Sequence, residues 1–346
     1  MKLITFTNKG IYCPQGKFYI DPWRPVDYAV ITHGHADHAR WGMKKYLCHH
    51  FTKPILHQRI SSDIECQTLQ YGEVLDINGV KLSMHPAGHI IGSAQIRLEY
   101  KGYVSVISGD YKVQDDGLST PFELVKCNEF VTESTFGLPI YNWLEVDELN
   151  KRMQNWVLRN QENQKTSVFI GYSLGKAQRI MKAVEGMGKI HVHYSIGKLN
   201  KAFEEVGIVL PEYETPDFRE SSIKHVAGDI VIVPPALLDS NVIKKIPDAA
   251  TAICSGWMQV RGARRWRSMD AGFPMSDHAD WKGLLQAIKA TEAEIVHVTH
   301  GQTEVFSKYL NEIGIKSDVV ETLYGDDDEE VVEKDVADNI ENQENH

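Results

Sequence analysis

Three imidazoles and a carboxylate fall within six residues at His33-Gly34-His35-Ala36-Asp37-His38, directly after the apolar run Tyr28 to Thr32. Imidazole and carboxylate are the usual protein ligands of zinc and similar divalent ions. Packed this tightly they desolvate one another unless a cation compensates. A turn leaving a strand aims alternate side chains to opposite sides. One short loop can therefore serve two metal positions, with His33 and His35 at one and Asp37 and His38 at the other.

Further ligands of the same kind stand at the ends of predicted strands. His89 lies in Pro86-Ala87-Gly88-His89-Ile90-Ile91-Gly92-Ser93, between glycines that permit close backbone approach. Asp110 ends the strand in Ser108-Gly109-Asp110-Tyr111, and His300 follows the strand in Val298-Thr299-His300-Gly301. Each alone reads as a turn or cap residue. Together with the first cluster they complete two metal sites, with one carboxylate bridging both ions.

Composition limits the alternatives. With 42% hydrophobic and 24% charged residues over 346 positions, the chain is globular and long enough for one large domain or two ordinary ones. No apolar run approaches the roughly 18 residues of a membrane span. The N-terminus turns polar too soon for a secretory signal, and the five cysteines form no CxxC pair, so reduced thiols and a cytoplasmic location are expected. The formal charge of −10 sits almost wholly in residues 326–346, where ten acids face one base. That stretch reads as a disordered acidic tail on a nearly neutral body. A neutral body still accommodates a phosphodiester, because only a local basic patch is required.

The first 140 residues read mostly as short strands, with helices starting near Asp37 and near Lys53-Pro54. Glu145 to Arg159 has helical period, with Leu149, Met153, Trp156 and Val157 on one face. Strands at Ser167–Tyr172, His191–Tyr194 and Asp229–Val233 then alternate with helices from Gly175 and Lys198, which argues for a parallel sheet with crossover helices. After about residue 273 come a helix near Trp281 to Ala290, a strand Glu294 to Val298 and a helix Thr303 to Ile313. The alternating block suggests a domain inserted into the first.

At this point the sequence resembles the metallo-β-lactamase superfamily, with the HxHxDH loop as signature, and more narrowly its β-CASP nucleases. Thr132-Glu133-Ser134-Thr135-Phe136-Gly137 matches the acidic motif A of that group, Pro274-Met275-Ser276-Asp277-His278-Ala279-Asp280 the histidine motif B, and Val298-Thr299-His300-Gly301 motif C. Asp21, in Tyr19-Ile20-Asp21-Pro22, matches the aspartate that orients a ligand. The wording of several motifs is similar to the bacterial DNA ligase-associated exonucleases. The resemblance implies an α/β fold: an αββα metallo-β-lactamase sandwich over residues 1–140 and 274–324, interrupted by a β-CASP cap of α/β type over 141–273, with the tail at 325–346.

It also implies roles. His33, His35 and His89 would bind one ion, Asp37, His38 and His300 the other, and Asp110 would bridge. The ions would be two divalent metals, zinc first and manganese as the alternative. Asp37, Glu133 and His278 would be catalytic, with Glu133 holding a His278 imidazolium that protonates the leaving sugar oxygen. The implied activity is metal-dependent hydrolysis of phosphodiesters by a DNA exonuclease in repair, functionally associated with a DNA ligase and a helicase and not with a membrane. The alternative is an RNA-processing β-CASP ribonuclease, since a histidine at motif C goes with RNA-acting members.

Two further patches suit a phosphate backbone. Ser173, Lys176 and Arg179 stand where a strand meets a helix N-terminus. Arg264 and Arg265 belong to the most basic run, Arg261 to Arg267, in which Trp266 could stack on a base. His49, His50 and His57 lack a partner pattern, His191 and His193 share one strand face and read as buried structural residues rather than as ligands of a stray ion, and His85 is near enough to His89 only to support it.

Overall fold

The computed structural model describes residues 2–219, 223–238, 240–260 and 269–324. Arg264, Arg265 and their basic run, and the acidic tail from 325, lie outside the described residues. The chain divides into two compact units. One runs to Asn142 and resumes at Asp277; the other is Trp143–Ser276.

The first unit is built on two sheets. Strands β1 (Thr5–Thr7), β2 (Gly10–Cys13), β3 (Phe18–Ile20), β4 (Tyr28–Val30), β5 (Lys45–His49) and β6 (Cys66–Leu69) lie side by side in chain order. The first three are antiparallel, and from β3 onward neighbours run parallel. Helix α1 (Lys53–Arg59) follows β5, with Pro54 in its first turn, where a missing N–H costs nothing.

The second sheet contains β7 (Val74–Ile77), β8 (Val80–Pro86), β9 (Ala94–Tyr100), β10 (Tyr103–Ile107) and β11 (Glu129–Ser134). Much later in the chain, β17 (Ile295–Gly301) and β18 (Ser317–Val319) add to it beside β11. The hairpins β7–β8–β9–β10 are antiparallel, whereas β10, β11, β17 and β18 are parallel.

Period-two alternation explains the packing. Val80, Leu82 and Met84 on β8 and Ala94, Ile96 and Leu98 on β9 share one buried core with Ile11, Phe18, Ile20, Val30 and Leu47 of the first sheet. The opposite face of the second sheet is covered by α5 (Trp281–Thr291) and α6 (Thr303–Glu312). There Leu284, Ile288, Phe306 and Leu310 meet Val106, Phe130, Val296 and Val298. Ala29, Ile31, Tyr46 and Cys48 on the outer face of the first sheet meet Leu56 of α1. All five cysteines are free thiols.

The second unit is a parallel sheet in the order β13 (Ile190–Val192), β14 (Ile230–Val233), β12 (Thr166–Ile170), β15 (Ala249–Cys254), β16 (Ala271–Phe273). Helices α2 (Val146–Glu162), α3 (Lys176–Ala183) and α4 (Tyr194–Glu204) accompany it. Central β12 is buried along its whole length, as expected of a strand covered on both faces. Phe169 packs on one side with Met153, Trp156, Val157 and Ile180, while Val168 and Ile170 pack on the other with Val231 and Val233. The apolar face expected for α2 is the buried one.

The mixed α/β class is as expected, but two helix starts differ. The residues around Asp37 form turns rather than a helix, because their side chains are committed to the cluster described below. Helix α4 begins at Tyr194 rather than at Lys198. The His193 side chain accepts the Ser195 backbone N–H and caps it there.

Phe169 is fully buried against the Trp156 and Phe273 rings, with centroids at 5.1 and 6.0 Å. Phe169→Ala should destabilise the unit by about 3–5 kcal/mol, read as a lowered midpoint of its transition in denaturant unfolding followed by tryptophan fluorescence.

Candidate metal centre

The parallel strands deliver the chemistry at their carboxyl ends, the usual ligand-binding end of such sheets. Asp21 follows β3, His33 comes shortly after β4, Asp110 after β10, Glu133 lies near the end of β11 and His300 near the end of β17. His89 comes from the turn after antiparallel β8. All belong to the first unit.

Asp21 organises the His33–His38 turn. Its backbone is in the left-handed region at φ 41°. Its Oδ1 accepts the Thr32 N–H (2.8 Å), and Oδ2 accepts the Thr32 hydroxyl (2.5 Å) and the His38 Nδ1–H (2.8 Å). With its proton given to Asp21, Thr32 Oγ1 is left to accept from His33 Nδ1 at 3.0 Å. On the facing turn, His89 Nδ1 donates to the Asp277 carbonyl at 2.8 Å. In His33, His38 and His89, then, Nδ1 is held by a protein oxygen and Nε2 is the nitrogen turned toward the cluster, where His89 Nε2 lies 3.0 Å from His35 Nδ1.

These Nε2 atoms converge on one carboxylate. Asp110 Oδ2 lies 3.5 Å from His33 Nε2, 3.5 Å from His38 Nε2 and 3.8 Å from His89 Nε2. Its other oxygen lies 3.6 Å from His300 Nδ1. Such separations are too long for hydrogen bonds. Among the described residues, His33 Nε2, His38 Nε2 and Asp110 Oδ1 are buried with no hydrogen-bond partner. Unpaired polar atoms at such depth cost of order 1–3 kcal/mol each unless an ion satisfies them.

The potential ligand atoms fall into overlapping groups, each within 4.8 Å: His33, His35, His89 and Asp110; Asp37, His38 and His300; Asp21, His33 and His38; and Asp110, Glu133 and His278. Nitrogen and carboxylate donors in these sets suit divalent ions.

The proton affinities follow from the same crowding. Burial lowers His33 and His89 well below the ordinary imidazole range, so both are neutral. Burial would lower His38 too, but the Asp37, Asp110 and Asp21 carboxylates outweigh it and raise it to about 10. His300, opposed by burial but raised by Asp110 and Asp37, reaches about 8. Burial works against ionised Asp110, yet the imidazoles of His38, His300 and His278 hold it well below the usual carboxylate range. Without a metal the carboxylates trap protons on His38 and His300; a divalent cation satisfies the same excess of negative charge.

Glu133 and His278 form the far side of the site. The Glu133 carboxylate accepts the Tyr111 N–H (2.8 Å) and the Thr135 hydroxyl (2.5 Å). It receives His278 Nδ1 at 2.9 and 2.8 Å. The His278 ring centroid is 4.7 Å from that of His89.

The seven proposed ligands, Asp21, Glu133 and His278 thus come together. The expected phosphate contacts of the second unit are mostly engaged internally. Lys176 and Arg179 are buried, and the Arg179 guanidinium donates to the Ser276 carbonyl. Ser173 Oγ lies 3.1 Å from Ser195 Oγ. His85 is bound to Ser83 and Glu123 rather than to the cluster.

Sequence reasoning passes over two contributors. Ser93 accepts the His89 and Ile90 N–H groups, at 3.1 and 3.2 Å, and pins their turn. Tyr324, far from every motif, stacks on His38. The Gly-His-Ile-Ile-Gly-Ser pattern signalled the first; nothing local signalled the second.

No family model matches the chain. It is 29% identical over 313 residues to a "Probable DNA ligase" of Opitutus terrae, an alignment covering 90% of this chain and 30% of that protein. It is 29% identical over 241 residues to the "Transcription termination factor FttA" of Pyrococcus horikoshii, covering 58% of this chain and 37% of that protein. An "RNase J-like protein" of Methanocaldococcus jannaschii is 26% identical over 183 residues, 46% of this chain and 43% of that one. The chain therefore spans between three and five tenths of the length of these relatives. A solved protein of unknown function from Enterococcus faecalis V583 shares the fold, with a TM-score of 0.57 at 12% identity over 86% of this chain and 80% of that one. These relatives bear out the resemblance to β-CASP nucleases of the metallo-β-lactamase superfamily that the motifs carry.

Gly88 holds the His89 turn at φ 73°, and a Cβ there would sit 2.2 Å from the Lys112 carbonyl oxygen. Gly88→Ala should therefore cost more than about 1 kcal/mol of stability and weaken the uptake of added divalent ions, checked by denaturant unfolding and by elemental analysis after dialysis.

Proposed function

We propose that this chain is a two-metal phosphodiesterase that digests DNA from an end, acting in repair alongside a DNA ligase. The observation that carries the reading is the convergence of the His33, His38 and His89 Nε2 atoms on buried, ionised Asp110, with the Glu133–His278 pair beside them. In this reading the first unit is the αββα metallo-β-lactamase sandwich, and Trp143–Ser276 is the β-CASP cap inserted in it. The similarity of nine tenths of the chain to part of a probable DNA ligase supports DNA as substrate.

Bound divalent ions supply Lewis-acid polarisation of the phosphoryl group and activation of water at neutral pH. His33, His35 and His89 would hold one ion and Asp37, His38 and His300 the other, with Asp110 placed to serve as a ligand of either. Zinc suits the nitrogen-rich donor set, with manganese the alternative. Asp21 fixes the His38 tautomer so that Nε2 faces inward. Glu133 holds the Nδ1 proton of His278, leaving Nε2 to pass a proton to the departing sugar oxygen. Glu133 stabilises the imidazolium that this requires.

A second reading has specific support. His300 occupies the motif C position, and relatives named for transcription termination and as RNase J-like or endoribonuclease also align. End-labelled DNA and RNA strands of matched sequence, digested with Zn2+ or Mn2+, separate the two. Preferential DNA shortening from one terminus is expected. RNA cleavage with DNA left intact would replace the DNA reading with the ribonuclease one.

Asp110→Asn and Asp37→Ala should reduce cleavage to background in this assay. His278→Ala should lower kcat by about 10²–10⁴-fold, the usual contribution of a positioned acid, with metal content retained. Full activity in Asp110→Asn would rule the mechanism out. Chelation should abolish cleavage and lower the melting temperature of the first unit, because the ligand set is left with unpaired buried groups.

A further inference from the structure

After β18 the chain continues as a short strap, in which the Val320 N–H donates to the Val298 carbonyl at 2.9 Å. The Arg40 guanidinium, two residues after His38, donates to the Leu323 carbonyl at 2.7 Å. Tyr324 then lies over the metal centre. Its ring stacks on His38 with centroids 4.4 Å apart and planes 10° from parallel. The Trp23 ring meets it edge-on at 5.5 Å and 85°, and the His300 ring is 6.1 Å away. The phenol donates to the Asp21 carbonyl at 3.2 Å. Tyr324 lines a cavity with Asp21, His38, Asp110 and His300.

Resting on the two-ion reading above, we propose that Tyr324 is a positioning residue for the Asp37–His38–His300 ion and not for the other. Asp21 grips His38 twice over, through a carboxylate bond to Nδ1 and through the carbonyl that anchors the ring stacked on its face. A bond at Nδ1 alone leaves the imidazole free to rock about that bond. A flat ring against its face removes that freedom and keeps water from one side, which steadies a ligand and raises its affinity. The selectivity comes from what the ring touches. Among the described residues its ring contacts are Trp23, His38 and His300, two of which are the proposed ligands of the second ion and none of which is His35 or His89.

The test is titration of the full metal-free chain with Zn2+ against a competing chelator, in wild type, Tyr324→Leu and Tyr324→Phe. Leucine keeps apolar bulk but removes the flat face; phenylalanine keeps the face and loses only the hydroxyl. Wild type should take up two ions. Tyr324→Leu should bind one of the two about 10–100-fold less tightly, the usual effect of losing a group that orients a ligand, with the other unchanged. Tyr324→Phe should stay within about tenfold of wild type, as expected for one neutral hydrogen bond. The Co2+-substituted proteins provide a second readout, in which only the absorption bands of the second ion should shift in Tyr324→Leu. Unchanged affinities in Tyr324→Leu, equal weakening of both ions, or a loss in Tyr324→Phe as large as in Tyr324→Leu would overturn the proposal and leave the two-ion reading standing. A wild-type chain that binds fewer than two ions would overturn both.

Discussion

The buried negative charge of Asp110 is the constraint around which the first unit is arranged. A carboxylate at this depth is costly unless something positive faces it. Imidazoles from three separate stretches of chain face it, each held so that a lone pair or a proton points inward. Removing any one support leaves the carboxylate and the remaining imidazoles without compensation. The sheets and turns nearby are best understood as means of keeping these groups a few ångströms apart.

The means are mostly backbone. Asp21 and Gly88 take left-handed conformations, and Gly301 does so where a Cβ would sit 2.4 Å from the Thr135 Cα. The Asp277 carbonyl, from the segment in which the chain returns to the first unit, fixes the tautomer of His89. Rigid parallel strands in two sheets set the starting points of these turns, and the apolar core shared by the sheets fixes their spacing. A cluster of buried polar groups this close together needs this kind of support, because side-chain contacts alone leave too much freedom.

Much of this was legible in the residues. The tight His33–His38 cluster reads as a set of candidate metal ligands, since imidazoles and a carboxylate packed this closely desolvate one another. Apolar alternation on β8 and β9 and helical period in α2 announce their elements because burial is one-sided and periodic. The sites where local reading failed have a common cause. Turn-forming residues near Asp37 look helical to a propensity argument, but their side chains are claimed by distant groups. Lys176 and Arg179 look like surface cations by type, yet both are buried, and the guanidinium is spent on a carbonyl 97 residues away in sequence. Short strands such as β5, β6 and β15 have their ladders completed by neighbours distant in sequence or by crossover pairing, which no local pattern specifies.

The amino-acid sequence by itself determined the chemical repertoire: which nitrogen and oxygen ligands are present, in what order, and on which turn or strand end each falls. Those properties are local, set by residue type and by spacing of a few positions. Only the tertiary structure decided which of them meet. It drew His89, Asp110 and His300 to the first turn, aimed His278 through Glu133, and laid Tyr324 on His38, a partner 286 positions earlier in the chain. Such meetings depend on how sheets pair and cores pack across long sequence separations, and no short-range pattern encodes that.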